Sequence, residues 1–197
     1  MTKVIRKNDA GCRGRLFWYH SGIRVVLWIG LLLLLPGIKR ADGFDYEPIK
    51  DPFRERFVLH LNGLSFHIGG SSNDLNELNY GLGFSYDLGR LSSGSRVLNN
   101  AVFTFSADIY RDSFYDLGYA FGVALQNRLI GPIDFGLQVG LIHEDNLVDK
   151  SGWYLHPYLF PFLETTFDFP VNCRVILIPP VGDLTEGVVT VQFLVRF

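Results

Sequence analysis

Two short stretches carry residue types that perform acyl chemistry when they meet. "LSFHIGG" holds His67, and "IYRDSF" holds Asp112 and Ser113. A serine hydroxyl is a weak nucleophile alone. A histidine that accepts its proton activates it, and a carboxylate orients the imidazole. Gathered at one end of a fold, these three would suit cleavage or transfer of an ester-linked acyl group. A polar rim also collects Asp, Ser and His without any chemistry, so the elements that place them decide. The other polar residues offer less. "LIHEDN" sets His143 beside Glu144 and Asp145, but no second histidine follows at usable spacing, so no metal site is expected. His156 precedes Pro157 and should cap a strand. The chain has no phosphate loop, no Cys/His metal spacing and no nucleotide motif.

The positioning elements are strands. From residue 56 onward the hydrophobic period is two. Residues 77–88 put Leu78, Tyr80, Leu82, Phe84, Tyr86 and Leu88 on one face. Residues 115–128 alternate large apolar side chains with Gly118, Ala120, Gly122 and Ala124, and residues 133–143 continue the pattern. With 56–69, 100–111, 156–167, 172–179 and 187–197, these segments predict eight strands joined by Gly, Asn, Asp, Ser or Pro turns. In a regular strand His60 and His67 fall on opposite faces, so His60 should point away from the side His67 serves.

Composition narrows the class. Of 197 residues, 48% are hydrophobic and only 19% charged, with seventeen Phe and nine Tyr, which suits a membrane barrel better than a soluble one. A lipocalin-like soluble barrel would put polar residues outward, whereas the face opposite the large residues here is mostly Gly, Ala and Ser. The expected fold is all-β, an eight-stranded antiparallel transmembrane β-barrel over residues 56–197, with small residues inside. The final strand ends on Phe197 with apolar residues at alternate positions, as bacterial outer-membrane barrels do. An even strand count puts both chain ends on one side. His67, Asp112 and Ser113 then share the opposite, external rim.

Residues 1–43 hold eight of the eighteen Lys and Arg but two of the twenty Asp and Glu. A basic start, the apolar core "VVLWIGLLLLLPG" and "IKRADG" read as a secretory signal, the core being short of the about 20 residues that span a bilayer. Residues 44–55 form a short N-terminal segment in which Pro48 and Pro52 break any surface helix. The remainder carries ten cations against eighteen acids and has no basic run, so nucleic acid is not an expected partner. Cys12 falls in the signal and leaves Cys173 alone, so no internal disulfide is expected.

Inward Gly118, Ala120, Gly122 and Ala124, joined by Gly81, Gly83, Gly136 and Gly140, should leave a narrow apolar slot shaped for one acyl chain. At this point the chain resembles the lipid A palmitoyltransferases of the PagP type. "LSFHIGG", "YGLGFSYDLG", "IYRDSF", "HPYLFPFLE", "ILIPPVG" and "VQFLVRF" occur in the family's order across residues 56–197. The resemblance implies catalytic His67, Asp112 and Ser113, no cofactor, a phospholipid acyl donor and lipid A as acceptor in the bacterial outer membrane. A monomer is expected. The acyl chain would enter laterally where Pro157, Pro161, Pro179 and Pro180 loosen the strand ladder. The chain departs from the family in a shortened or absent N-terminal helix, a shorter hairpin after Ser113 and a second strand without its proline. Ala120 stands where the family has its chain-measuring glycine, which implies a shorter acyl preference. A lipid A deacylase and a non-enzymatic adhesion or structural barrel are the alternatives.

Overall fold

Alternating large apolar and small or polar residues make strands whose two faces meet different surroundings. The computed structural model describes residues 44–68, 75–93, 99–180 and 187–197. The signal expected in residues 1–43, with Cys12, lies outside the described residues. All eight expected segments are strands: β2 (Phe57–Ile68), β3 (Leu78–Ser93), β4 (Ala101–Arg111), β5 (Leu117–Ile130), β6 (Ile133–His143), β7 (His156–Thr165), β8 (Val171–Ile178) and β9 (Gly187–Arg196). Successive strands pair antiparallel. β9 pairs with β2 from Val58–Arg196 to Ile68–Gly187, which closes an eight-stranded barrel. The β2–β3, β4–β5, β6–β7 and β8–β9 connections share one end, called upper here, and the chain's C-terminus lies at the other.

One strand was not expected. β1 (Phe44–Pro48) pairs with β3 from Phe44–Ser93 to Pro48–Gly89, and a single helical turn, α1 (Phe53–Arg56), follows it. β3 runs well past Tyr86, where its pairing with β2 starts, so its edge is open to another partner. The Tyr46 ring crosses Gly89 where a Cβ would collide with it, and the Tyr46 hydroxyl donates to the Leu88 carbonyl at 3.1 Å.

The outer wall of the barrel is apolar, and its interior is mixed. Leu82, Phe84, Leu117, Phe121, Leu137, Leu159, Leu163 and Phe193 are exposed. The interior is layered. Lowest is a buried ion cluster: Glu164 lies 2.6 Å from Arg174 and 3.0 Å from Arg196. Above it His60, Ser85, Asp108, Asn62 and Gln192 form a hydrogen-bonded polar layer. Apolar side chains from β5, β6, β7 and β8 fill the upper interior.

His60 corrects the strand parity. It is 0% exposed and faces inward, as His67 does. Against β9 the pairing steps from Asn62–Gln192 to Leu64–Val191, so Gly63 is an extra residue on β2. A one-residue bulge inverts the parity above it, and both histidines therefore reach the lumen.

One seam differs from the rest. β7 pairs with β8 only at Phe162–Ile176, Leu163–Val175 and Glu164–Arg174, while its ladder with β6 extends from Ile133–Thr165 to Ile142–His156. The β7–β8 ladder stops at Phe162–Ile176, below Pro161 and Pro157 on one strand and Pro179 and Pro180 after the other. Proline cannot donate to a ladder, which is consistent with an unzipped upper half.

Candidate active site

His67 and Ser113 meet at the upper rim. His67 Nε2 lies 2.9 Å from Ser113 Oγ. The two sit on β2 and on the β4–β5 turn, with β3 between them in the sheet. They reach each other because β3 stops short: its last pairing with β2 is Leu64–Leu78, and β2 continues to Ile68. Inward side chains from strands two places apart span a gap of about 10 Å. Asn76, just ahead of β3, ties the crossing together. Its backbone N–H donates to the Ser113 carbonyl at 2.9 Å, and its Nδ2 donates to the Asp112 carbonyl at 3.2 Å. Sequence reasoning missed Asn76, since an asparagine before a strand reads as ordinary turn chemistry.

Asp112 has a different task from the one its type suggests. Its Oδ1 accepts from the Phe114 and Asp116 amides at 2.8 and 2.9 Å. Its Oδ2 is buried without a hydrogen-bond partner. The carboxylate therefore organises the turn that presents Ser113 and is not hydrogen-bonded to His67. Tyr115, at φ +67°, closes this turn in the left-handed region that side chains other than glycine rarely adopt. Burial pushes the Asp112 carboxyl above the usual carboxylate range, against the two amides that lower it.

Gly118, Ala120, Gly122 and Ala124 all lie on the inner face of β5. The room over the glycines is occupied. The Tyr110 ring covers Gly118, the Tyr158 hydroxyl lies over Gly122, and the Phe162 ring covers Gly136. The small residues let large neighbours cross the lumen. Ala120 packs with Ile142, Leu147 and Tyr158, while Ala124 packs lower, with Phe162 and Ile176. Phe160 touches both groups, so they form one mainly apolar column beside the β7–β8 seam, crossed near Gly122 where Gln138 Nε2 donates to the Tyr158 hydroxyl at 2.7 Å. Ala120, the expected chain-measuring position, lies in the upper group.

A second serine–histidine pair, which the sequence did not suggest, lies in the polar layer. His60 Nδ1 is 3.0 Å from Asp108 Oδ1, and His60 Nε2 is 3.0 Å from Ser85 Oγ. Asn62 and Gln192 also donate to Asp108 Oδ1. β2 and β4 meet here across β3 only because residue 83 is glycine: a Cβ there would collide with the Asp108 carboxylate.

Among the described residues, no group of three or more His, Cys, Asp or Glu is placed to hold a metal ion. In "LIHEDN", His143 Nε2 pairs with Asp145 at 3.2 Å, while Glu144 turns away to the Tyr110 hydroxyl at 2.8 Å. His156 opens β7, its Nε2 3.1 Å from Ser151 Oγ. No protein-family model matches the chain, and no curated protein matches its sequence.

Proposed function

We propose that the protein is an outer-membrane acyltransferase that moves a palmitoyl or similar acyl chain from a phospholipid to lipid A. One observation carries this reading: the 2.9 Å contact between His67 Nε2 and Ser113 Oγ stands on the rim above an apolar column. The band of exposed apolar residues around the barrel supports a bilayer setting. The unzipped upper half of the β7–β8 seam supports lateral passage of an acyl chain into the column, between Pro157 and Pro161 on one strand and Pro179 and Pro180 beyond the other.

In this reading Ser113 Oγ attacks the donor's ester carbonyl while His67 Nε2 takes the hydroxyl proton. The lysophospholipid alkoxide leaves and receives that proton. A lipid A hydroxyl then attacks the acyl–serine ester, giving its own proton to His67, and the serine is restored as that proton returns to it. Asp112 is a positioning residue that holds the Ser113 turn. The apolar column holds the acyl tail, and its burial favours long chains at about 0.8 kcal/mol per methylene.

The test is expression in a palmitoyltransferase-deficient Gram-negative host, with lipid A read by mass spectrometry. An added acyl mass that disappears in His67→Ala and in Ser113→Ala is the expected result. A lost acyl mass would instead indicate a deacylase, and unchanged lipid A would sink both enzymatic readings.

A further inference from the structure

The β6–β7 connection contains a short helix, α2 (Asp145–Ser151), that turns one leucine into the barrel. Leu147 is 5% exposed. It packs with Ile142 and Tyr158 and against Tyr110, Ala120 and Phe160, which line the top of the apolar column. A seven-residue helix does not hold itself together in water, so the burial of Leu147 is what seats it.

Both ends of the segment are fastened. Before the helix, the Tyr110 hydroxyl donates to Glu144 Oε1 at 2.8 Å. After it, Gly152 takes the left-handed conformation, at φ +76°, and its N–H donates to the Val148 carbonyl at 2.7 Å. The His143 ring stacks on Tyr119, with centroids 4.7 Å apart, and lies tilted against Tyr154 at 4.3 Å, and His143 Nδ1 donates to the Tyr154 carbonyl at 2.8 Å. The helix is thus held across the mouth from both sides.

We infer that α2 is a plug. Leu147 closes the water-facing end of the column and leaves the β7–β8 seam as its open side. The column then admits acyl chains delivered from a bilayer and refuses acyl esters dissolved in water. This substrate class rests on the acyl-slot reading above; the plug itself does not.

The test reads access rather than catalysis. Ala120→Cys is introduced in a background lacking Cys12 and Cys173, and the protein is placed in phosphatidylcholine nanodiscs. Two thiol reagents are compared: a charged methanethiosulfonate in water and an alkyl methanethiosulfonate dissolved in the bilayer. With Leu147 in place, the alkyl reagent should label and the charged one should not. Leu147→Gly should raise labelling by the charged reagent roughly tenfold or more, and the conservative Leu147→Met should not. Should Leu147→Gly fail to fold, Leu147→Ala reads the same change at smaller amplitude. Fast charged labelling with Leu147 intact overturns the plug, as does a rate indifferent to Leu147. Labelling by neither reagent overturns the open seam. Since no turnover is measured, a barrel without acyltransferase activity can still pass this test, and an active one can fail it.

Discussion

Among the described residues three serine–histidine pairs form, and the one with a complete Asp–His–Ser chain is not the best candidate for chemistry. In the polar layer Asp108, His60 and Ser85 stand in the order of a nucleophilic triad, with 3.0 Å at each link. At the rim His67 meets Ser113 at 2.9 Å while Asp112 serves its own turn. In the deeper set His60 and Ser85 are buried, and His60 lies seven residues before His67 on the same strand, about 23 Å along it. On the proposed function the donor's ester carbonyl lies near the lipid headgroups, within reach of the rim and not of that depth. Side-chain types and distances describe what a site can do; access decides whether it is asked to. The inner set instead satisfies three strands' polar groups in a closed space, where an unpaired one would be costly.

The comparison can be broken most sharply with the two serines. Ser113→Ala or His67→Ala should cut acyl transfer by roughly 10²–10⁴-fold while leaving the urea unfolding midpoint in place. Loss of transfer in Ser85→Ala with retention in Ser113→Ala would exchange the roles of the two sites. Next in size is Asp108→Ala, which strips His60, Asn62 and Gln192 of a shared acceptor. It should destabilise the barrel by about 3–5 kcal/mol, read by urea titration with circular dichroism, with transfer per folded molecule preserved. Ser85→Ala removes a single hydrogen bond and should cost about 1–3 kcal/mol in the same titration.

The smallest expected effect is local and concerns pH. Burial pushes Glu144 up to about 7, with Asp112 adding to the rise and Tyr110 and His143 opposing it. A carboxyl raised in the fold favours its protonated form there. The stability it lends is therefore complete below its ordinary value of 4.5 and is lost as pH rises through about 7. Amide exchange at Leu147 and Val148, corrected for intrinsic rates, should show weaker protection across that window. Glu144→Gln should flatten the dependence, and an equally steep profile in that variant would assign it to another group.

The strands were legible because one face of nearly every segment is large and apolar, and a period of two survives any local irregularity shorter than the strand. β1 was hidden by Pro48 at its end, by Pro52 after it and by its brevity: five residues carry too little alternation, and what holds them is the spare edge of β3. His67 and Ser113 were legible as a rim pair because strand ends on one side of a barrel share a height. The direction of the Asp112 carboxylate was not, because the turn's own amides compete for it. The inner set was unreadable for a different reason. Its members come from three strands, and their meeting depends on the absence of a side chain at Gly83 and on an inserted residue at Gly63.

That inserted residue makes the upper part of β2 a reversible module in the genetic sense. Deleting one codon, for Gly63, would remove no atom of the rim pair and barely alter composition. It would nevertheless rotate everything above it by half a turn, sending His67 and Ser65 to the outer wall and Phe66 and Ile68 into the lumen. One in-frame deletion thus separates such a barrel from one without the rim pair, and one insertion restores it.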